Sequence, residues 1–142
     1  MFQAGVGAKR EQMTLGFYPN LYWWWPVYRK CDYVRAERFW SPNYIQHSAH
    51  IAPGREGLFN LIKSIPPTLK YEPGMIVAEG DLVMIHGRFS GFGQPTAWIA
   101  ADILRIADGV LTEHWDVIQD EASRESSRSG LPMFGEAFGG ER

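Results

Sequence analysis

Cysteine is scarce in this sequence: Cys31 is the single one among 142 residues. One cysteine cannot form an internal disulfide, and it lacks the partner that a zinc or thiol-redox motif requires. Long hydrophobic runs are also missing, since no stretch of about 18 apolar residues occurs, and this argues against a membrane-spanning helix. Lys9 and Arg10 are not followed by the apolar segment of a signal peptide, so we expect a cytoplasmic location.

The chain also has no large excess of positive or negative charge. The 14 basic and 16 acidic residues nearly cancel, and the lysines and arginines are scattered along the chain. A surface that follows phosphates requires clustered basic residues, so we expect no nucleic-acid partner. Glycine-rich phosphate loops, GxSxG elbows and CxxC pairs are absent as well, which argues against the enzyme classes that these motifs define.

Aromatic residues, by contrast, are abundant. They make up 14% of the chain and include six tryptophans. Such a surplus is compatible with a deep apolar pocket, with a large subunit interface, or with a core that is rich in aromatic rings. The chain length fits one domain that can bury a core of its own.

Patterning divides the chain into three segments. Residues 1–31 are first glycine-rich and then aromatic with interspersed prolines, and we expect an irregular or helical segment there. Residues 32–119 carry the regular patterns of one α+β domain. Residues 120–142 are rich in serine, glycine and charge, which indicates a tail whose apolar cluster, Leu131–Phe134, could dock onto the domain.

Two parts of the domain have helical spacing. Residues 32–40 place apolar side chains on one face, with Asp32 as a candidate N-cap and Pro42 as a stop. Residues 53–65 repeat apolar residues every three or four positions and begin with a proline, which suits a first turn. Between these two helices, we expect residues 44–50 to be extended or irregular.

From Tyr71 onward, the hydrophobic period changes to two. Four runs alternate in the way that strands do, namely residues 75–79, 82–89, 96–106 and 110–119. Tight turn signals at residues 79–81 and 107–109 indicate hairpins. Helices followed by an antiparallel meander predict the α+β class.

The last hairpin determines which side chains share a face. A three-residue loop at 107–109 would place Ile106 opposite Val110, and counting outward then places Asp102 opposite His114 and Ala100 opposite Asp116. Alternation therefore predicts one face that carries two carboxylates and an imidazole among apolar groups, made of Trp98, Ala100, Asp102, Leu104, Ile106, Thr112, His114, Asp116 and Ile118. The other face would carry Ile99, Ile103, Arg105, Leu111, Glu113 and Trp115, where Arg105 can pair with Glu113.

Asp102, His114 and Asp116 are the candidate catalytic residues. Opposed side chains on one face of a sheet have Cβ atoms about 4.5–5.5 Å apart, so an Asp–His contact is easy to form. General acid–base pairs are built from such contacts. The alternative is a structural Asp–His pair, or an aspartate that holds a loop amide. A lone buried carboxylate requires compensation, which favours a pocket role for Asp102 and leaves His114 and Asp116 open.

The other histidines and several apolar side chains are candidates for contacts with a bound molecule. This substrate-binding set comprises His47, His50, Met84, His86, Phe89, Trp98, Trp115 and Phe134. His47 and His50, with Asp102 and Asp116, could also supply the three or four convergent ligands of a metal site. The HxxH spacing alone is a weak signal, so we expect no metal.

Three segments resemble the SnoaL-like polyketide cyclase family, which belongs to the nuclear-transport-factor-two-like superfamily. They are YIQHSAHIAPGREGLFNLIK, IVAEGDLVMIHGRFSG and ADILRIADGVLTEHWDVIQ. The resemblance runs from about Asp32 to Gln119, and its pattern DIxRxxDGxxxEHWDVxQ is quite specific to the group. The PMF at residues 132–134 is similar as well, whereas the segment before Asp32 matches poorly.

The resemblance implies a cone-shaped α+β fold, in which a curved antiparallel sheet packs on N-terminal helices and encloses a pocket. It also implies a homodimer formed through the sheet. In the cyclases, an aspartate at the position of Asp102 acts as acid–base in an intramolecular aldol closure, without metal or cofactor. Relatives with the same cone isomerise ketosteroids, hydrate epoxides or only bind ligands, so the fold does not settle the function.

Our first hypothesis is a cofactor-free enzyme, an aldol-type cyclase, isomerase or hydrolase, that acts on a small apolar carbonyl or epoxide compound. Asp102 would be the general base and Asp116 a second acid–base group. His114 or His47 would orient Asp102 or stabilise an enolate oxygen.

Two other hypotheses stay open. In the second, the same pocket binds a small apolar molecule without chemistry. In the third, the protein is a structural dimer with a vestigial pocket, which would be favoured if Trp98, Phe134 and Met84 filled that pocket.

Overall fold

The structure is a computed structural model that describes residues 36–139. The predictions for residues 1–31, for Cys31 and for a helix N-cap at Asp32 lie outside the described residues. The division into segments at residues 31 and 119 stays a prediction. No helix among the described residues is long and apolar enough to cross a membrane.

Five strands and one α-helix make up the described part of the chain. In order along the chain they are β1 (Trp40–Gln46), α1 (Gly54–Ser64), β2 (Lys70–Glu79), β3 (Leu82–Ser90), β4 (Trp98–Ala107) and β5 (Val110–Asp120), with a 3-10 turn at Glu37–Phe39 before β1. The predicted second helix, the four predicted strands and the extended segment after residue 44 are confirmed, and β2 begins five residues earlier than expected. The α+β class is confirmed with them.

The strands form one curved sheet in the order β1-β5-β4-β3-β2. Strands β2 to β5 are the predicted antiparallel meander. At the edge of this meander, β1 pairs with β5 in parallel, so the sheet as a whole is mixed. Parallel neighbours require a long connection, and here it consists of α1 and three strands.

The predicted helix over residues 32–40 was wrong at its end. After the single 3-10 turn, Trp40 already begins β1. Pro42 accounts for this change, because proline excludes helix from the residue before it and tolerates an edge strand, where no partner requires its missing N–H. The apolar stripe still packs: the Trp40 ring meets the ring of Phe59 on α1 edge to face, with centroids 5.5 Å apart.

Helix α1 covers the concave face of the sheet. Its Phe59 joins Ala36, Trp40 and Tyr44 in one buried cluster. A second cluster on the same side of the sheet consists of Val83, Ile85 and Leu104. Because α1 touches the sheet mainly through β1, the rest of the concave face stays open to an internal space.

The segment after β5 returns along the convex face of the sheet. Phe134 is buried there and packs on His86, with ring centroids 5.6 Å apart. Gly74 permits this approach, because a Cβ at that position would lie 2.7 Å from the Phe134 ring. Leu131, from the same apolar cluster of the tail, is 66% exposed.

Candidate functional site

The β4–β5 hairpin has a two-residue loop instead of the predicted three-residue one. Asp108 (φ 51°) and Gly109 (φ 79°) are both left-handed, as a tight hairpin turn requires, so Ala107 pairs with Val110. Farther along, Thr112 is an extra residue on β5 that forms a bulge, and its hydroxyl donates to the carbonyl of Arg105 at 3.1 Å.

The shorter loop and the bulge each shift the register by one residue in the same direction. Asp102 therefore pairs with Asp116, and His114 pairs with Leu104. The predicted pairs Asp102–His114 and Ala100–Asp116 were wrong. A shift of two residues leaves every side chain on its face, so the two aspartates and His114 do share the concave face. The residues between the loop and the bulge do not follow the prediction: Val110 pairs with Ala107, and Leu111 pairs with Ile106 and lines the concave side.

A cavity of about 430 Å³ lies between α1 and the concave face of the sheet. Most of its wall is apolar, with side chains from α1 and from the sheet. A small polar group stands out against that wall, made of Tyr44, Tyr71, Asp102, His114 and Asp116.

His114 is the centre of this polar group. Its side chain is 90% buried, and its Nε2 lies 3.2 Å from Oδ1 of Asp102. Asp102, His114 and Asp116 each offer one nitrogen or oxygen atom such that all three atoms lie within 4.8 Å of one another. A single small molecule, or a metal ion, could contact all three. That set differs from the metal set considered from the sequence, which included His47 and His50.

Gln46 completes the surroundings of His114 and was missed by the sequence reasoning. Its Oε1 lies 3.0 Å from His114 Nδ1 and also accepts the backbone N–H of Ser48 at 2.9 Å. Its Nε2 donates to the Tyr44 hydroxyl at 3.0 Å. The parallel pairing aligns Gln46 with His114 across β1 and β5. The signal in the sequence was the alternation of Tyr44 and Gln46, but it points to a site only once β1 is known to lie beside β5.

Both tyrosines of the polar group are held in the neutral form. Burial raises the pKa of Tyr44 far above its ordinary value, and the charges of Asp102 and Asp116 raise it further. Burial and the charge of Asp102 do the same for the pKa of Tyr71. Each hydroxyl therefore keeps its proton at any physiological pH.

Three of the predicted substrate-binding residues line the cavity. The rings of His50 and Trp98 stack with centroids 6.0 Å apart, and Phe92, which was not predicted, lies 4.4 Å from Trp98. Phe89 packs on Tyr71 at 4.5 Å. These rings form an aromatic wall at one side of the cavity.

The other five predicted residues, His47, Met84, His86, Trp115 and Phe134, do not line the cavity. Strand alternation places Met84, His86 and Trp115 on the convex face, where Phe134 packs on His86. His47 stacks on Trp115 at 4.8 Å there. The expectation that His47 orients Asp102 disagrees with this position. Phe134 and Met84 do not fill the cavity either, as the hypothesis of a vestigial pocket would require.

His47 instead belongs to an ionic group on the convex face. Its Nε2 lies 2.8 Å from Glu113, and Arg105 donates to the same carboxylate at 2.9 Å, as the alternation predicted for Arg105 and Glu113. The hydrogen bond from His47, followed by that from Arg105, holds the pKa of Glu113 below its ordinary value. These contacts are partly exposed to solvent.

Within residues 36–139, a mixed sheet of five strands wraps α1 and leaves a cavity against its concave face, and this arrangement matches the nuclear-transport-factor-two-like fold. The chain belongs to the SnoaL-like domain family, whose model matches residues 24–114. No curated protein matches the chain significantly.

Solved structures share this fold. An NTF-2-like protein of unknown function from Burkholderia xenovorans has a TM-score of 0.65 at 16% identity, over 89% of this chain and 98% of its own. AclR, a putative hydroxylase from Streptomyces galilaeus, has a TM-score of 0.54 at 24% identity, over 79% and 90%. A putative polyketide cyclase from Bacillus cereus has a TM-score of 0.51 at 26% identity, over 58% and 60%.

Proposed function

We propose that this protein is a cofactor-free acid–base enzyme that acts on a small, largely apolar carbonyl or epoxide compound, as an aldol-type cyclase, isomerase or hydrolase. The observation that carries the proposal is the contact between Asp102 and His114, 3.2 Å long, at the polar side of an otherwise apolar cavity. A buried carboxylate is costly unless it is compensated, and clefts that contain such groups are typical of acid–base sites.

The roles follow from the positions of the groups. Asp102 is the general base that takes a proton from the carbon next to a carbonyl, or from a water molecule that attacks an epoxide. His114 orients Asp102 and balances its charge. Asp116, directly opposite Asp102, is close enough to return the proton at a second position of the bound molecule.

Tyr44 is the group best suited to the oxygen on which charge develops. Its side chain is neutral and buried, and Tyr44 lines the cavity. A hydrogen-bond donor that is held in place in a buried site stabilises an enolate or alkoxide more than water does. The sequence hypotheses gave this role to a histidine, and the position of Tyr44 favours the tyrosine.

The cavity supports the choice of substrate class. Its volume of about 430 Å³ is within the range of small-molecule sites, which are mainly apolar with a few convergent polar groups. The aromatic wall of Phe89, Phe92 and Trp98 favours a flat apolar compound. The name of the Bacillus cereus neighbour agrees with a carbonyl compound.

The experiment is a thermal-shift screen of the purified protein with apolar ketones, enones and epoxides, followed by recovery of each stabilising compound. The proposal predicts that at least one of them is recovered chemically changed, and that Asp102→Asn abolishes the change whereas Asp120→Asn, at an exposed position, does not. Recovery of every ligand unchanged would support the second hypothesis, binding without chemistry.

A further inference from the structure

We infer that Gln46 is a positioning residue that fixes the tautomer of His114 and so places one shared proton between His114 and Asp102. As a statement about catalysis, this inference rests on the proposed function. As a statement about proton positions, it depends only on the hydrogen bonds of four groups.

The orientation of the Gln46 amide is set by the main chain. The backbone N–H of Ser48 lies 2.9 Å from one end of the amide, and a backbone N–H can only donate. That end is therefore the oxygen, and the other end, the NH₂ group, donates to the Tyr44 hydroxyl at 3.0 Å. The reverse orientation would bring two donors together.

The orientation of Gln46 then determines the proton on His114. The amide oxygen only accepts, and it lies 3.0 Å from His114 Nδ1, so Nδ1 carries a hydrogen. A neutral imidazole has a single N–H. In neutral His114, Nε2 is therefore a bare acceptor that faces an oxygen of Asp102 at 3.2 Å.

Two bare acceptors at that distance repel each other, so the contact requires one proton. The proton lies either on Nε2, which gives an imidazolium beside a carboxylate, or on Asp102, which gives a carboxylic acid beside a neutral imidazole. Both states are hydrogen-bonded, and they differ only in the position of one proton. Asp102 therefore accepts a substrate proton only while His114 holds this one.

The same amide also directs Tyr44. Because the Tyr44 oxygen accepts from Gln46, the Tyr44 hydroxyl proton must point to another acceptor, and Tyr44 is one of the residues that line the cavity. Gln46 thus controls the base pair and the hydroxyl donor together. Neither function requires Gln46 to touch the bound molecule.

The experiment is long-range ¹H–¹⁵N NMR of the full chain with ¹⁵N-labelled histidine, recorded without any ligand. The chain has four histidines, and the signals of His114 are assigned from their loss in His114→Phe. We expect Nδ1 of His114 to give a protonated-type shift, because its hydrogen is donated to the Gln46 oxygen. A bare Nδ1 in the wild-type protein would overturn the inference without any variant.

Three variants test the role of Gln46 itself. Gln46→Met keeps the length of the side chain and removes its three hydrogen bonds, and we expect Nδ1 to lose its protonated-type shift. Gln46→Glu retains an acceptor and should restore it. Gln119→Met, the matched change at an exposed glutamine of β5, should leave all His114 shifts unchanged. Shifts of Gln46→Met that equal those of the wild type would contradict the inference.

Turnover provides the catalytic part of the test. With any substrate found by the ligand screen, Gln46→Met should lower the rate roughly 100-fold and change its pH profile, since an acid–base group contributes about 10²–10⁴-fold. The two failures are distinguishable. An absence of turnover in every protein would contradict the proposed function alone, whereas an unaltered pH profile and rate in Gln46→Met would contradict the positioning role.

Discussion

Asp102 and Asp116 stand directly opposite each other on the concave face of the β4–β5 ladder, with His114 in reach of both. Two charged carboxylates in this relation repel each other. The pair does not help to stabilise the fold. It would be useful to an enzyme that takes a proton at one position of its substrate and returns it at another. The arrangement therefore favours a functional reading over a structural one.

This reading predicts that Asp116→Asn stabilises the protein. Removal of one of the two opposed charges should raise the free energy of unfolding by about 0.2–1 kcal/mol, as measured by urea denaturation at pH 7. Asp120→Asn is the control, at an exposed aspartate four residues farther along β5. A clear loss of stability in Asp116→Asn would support the structural alternative, in which Asp116 holds the fold together.

The buried tyrosines predict a loss of stability at alkaline pH. Their pKa values in the folded protein are raised by burial, so the stabilisation that they provide is complete below the unfolded value of about 10 and is lost as the pH rises above it. At pH 11, each should have cost about 1.4 kcal/mol of unfolding free energy relative to neutral pH.

Tyr44→Phe isolates this effect from other groups that titrate in the same range. The variant should show a smaller fall in unfolding free energy between pH 8 and pH 11 than the wild type does, by guanidinium denaturation at each pH. Equal falls in the two proteins would show that Tyr44 ionises as freely in the folded state as in the unfolded chain.

The docked tail predicts unequal roles for two of its apolar residues. Phe134 is 9% exposed and packs on His86, whereas Leu131 is 66% exposed. Phe134→Ala should cost about 3 kcal/mol and speed proteolysis of the tail by local opening. Leu131→Ala should change the unfolding free energy by less than about 0.5 kcal/mol. Equal effects of the two substitutions would contradict the docking.

The convex face supports a proposal about assembly. A row of apolar side chains crosses four neighbouring strands there. The row consists of Val77, Met84, Ile103 and Trp115, which are in register, and Val117 lies next to it on β5. Val117 is 68% exposed, and the row is bordered by the ionic group of Arg105, Glu113 and His47. We propose that this face joins two copies of the chain.

Sedimentation velocity tests that proposal. The wild type should sediment as a dimer at micromolar concentration, and Val117→Lys should sediment as a monomer because a charge in the apolar row must be desolvated. Asn60→Lys, on the exposed side of α1, should leave the dimer intact. A wild-type monomer at every concentration would refute the proposal.

Local patterns predicted most of the fold and only part of the site. The hydrophobic period of two in residues 75–119 was enough to predict four strands. The helical spacing in residues 53–65 was enough to predict α1. The parallel position of β1 could not be predicted, because it depends on pairing between residues almost 70 positions apart. Gln46 and Tyr44, which β1 brings to the site, were missed for the same reason.

The concave face was predicted correctly although the register was not. A loop one residue shorter would by itself have turned Asp102 away from His114, and the bulge at Thr112 restored the original face. Bulges depend on local twist and on hydrogen bonds such as that of the Thr112 hydroxyl, and the alternation of apolar residues does not show them. His47 and Phe134 were wrongly predicted to contact a bound molecule, because the convex face also carries aromatic residues and the sequence does not show which face they join.

The most direct test of the account is proton exchange at carbon. A small apolar ketone such as 2-tetralone, in D₂O with the wild-type protein, should exchange the hydrogens next to its carbonyl for deuterium faster than in buffer, as followed by ¹H NMR. Asp102→Asn should lower the enzymatic rate by at least about 10²-fold, and Asp120→Asn should not change it. Equal exchange rates for the wild type and Asp102→Asn, with the ketone shown to bind both, would contradict the assignment of Asp102 as the catalytic base.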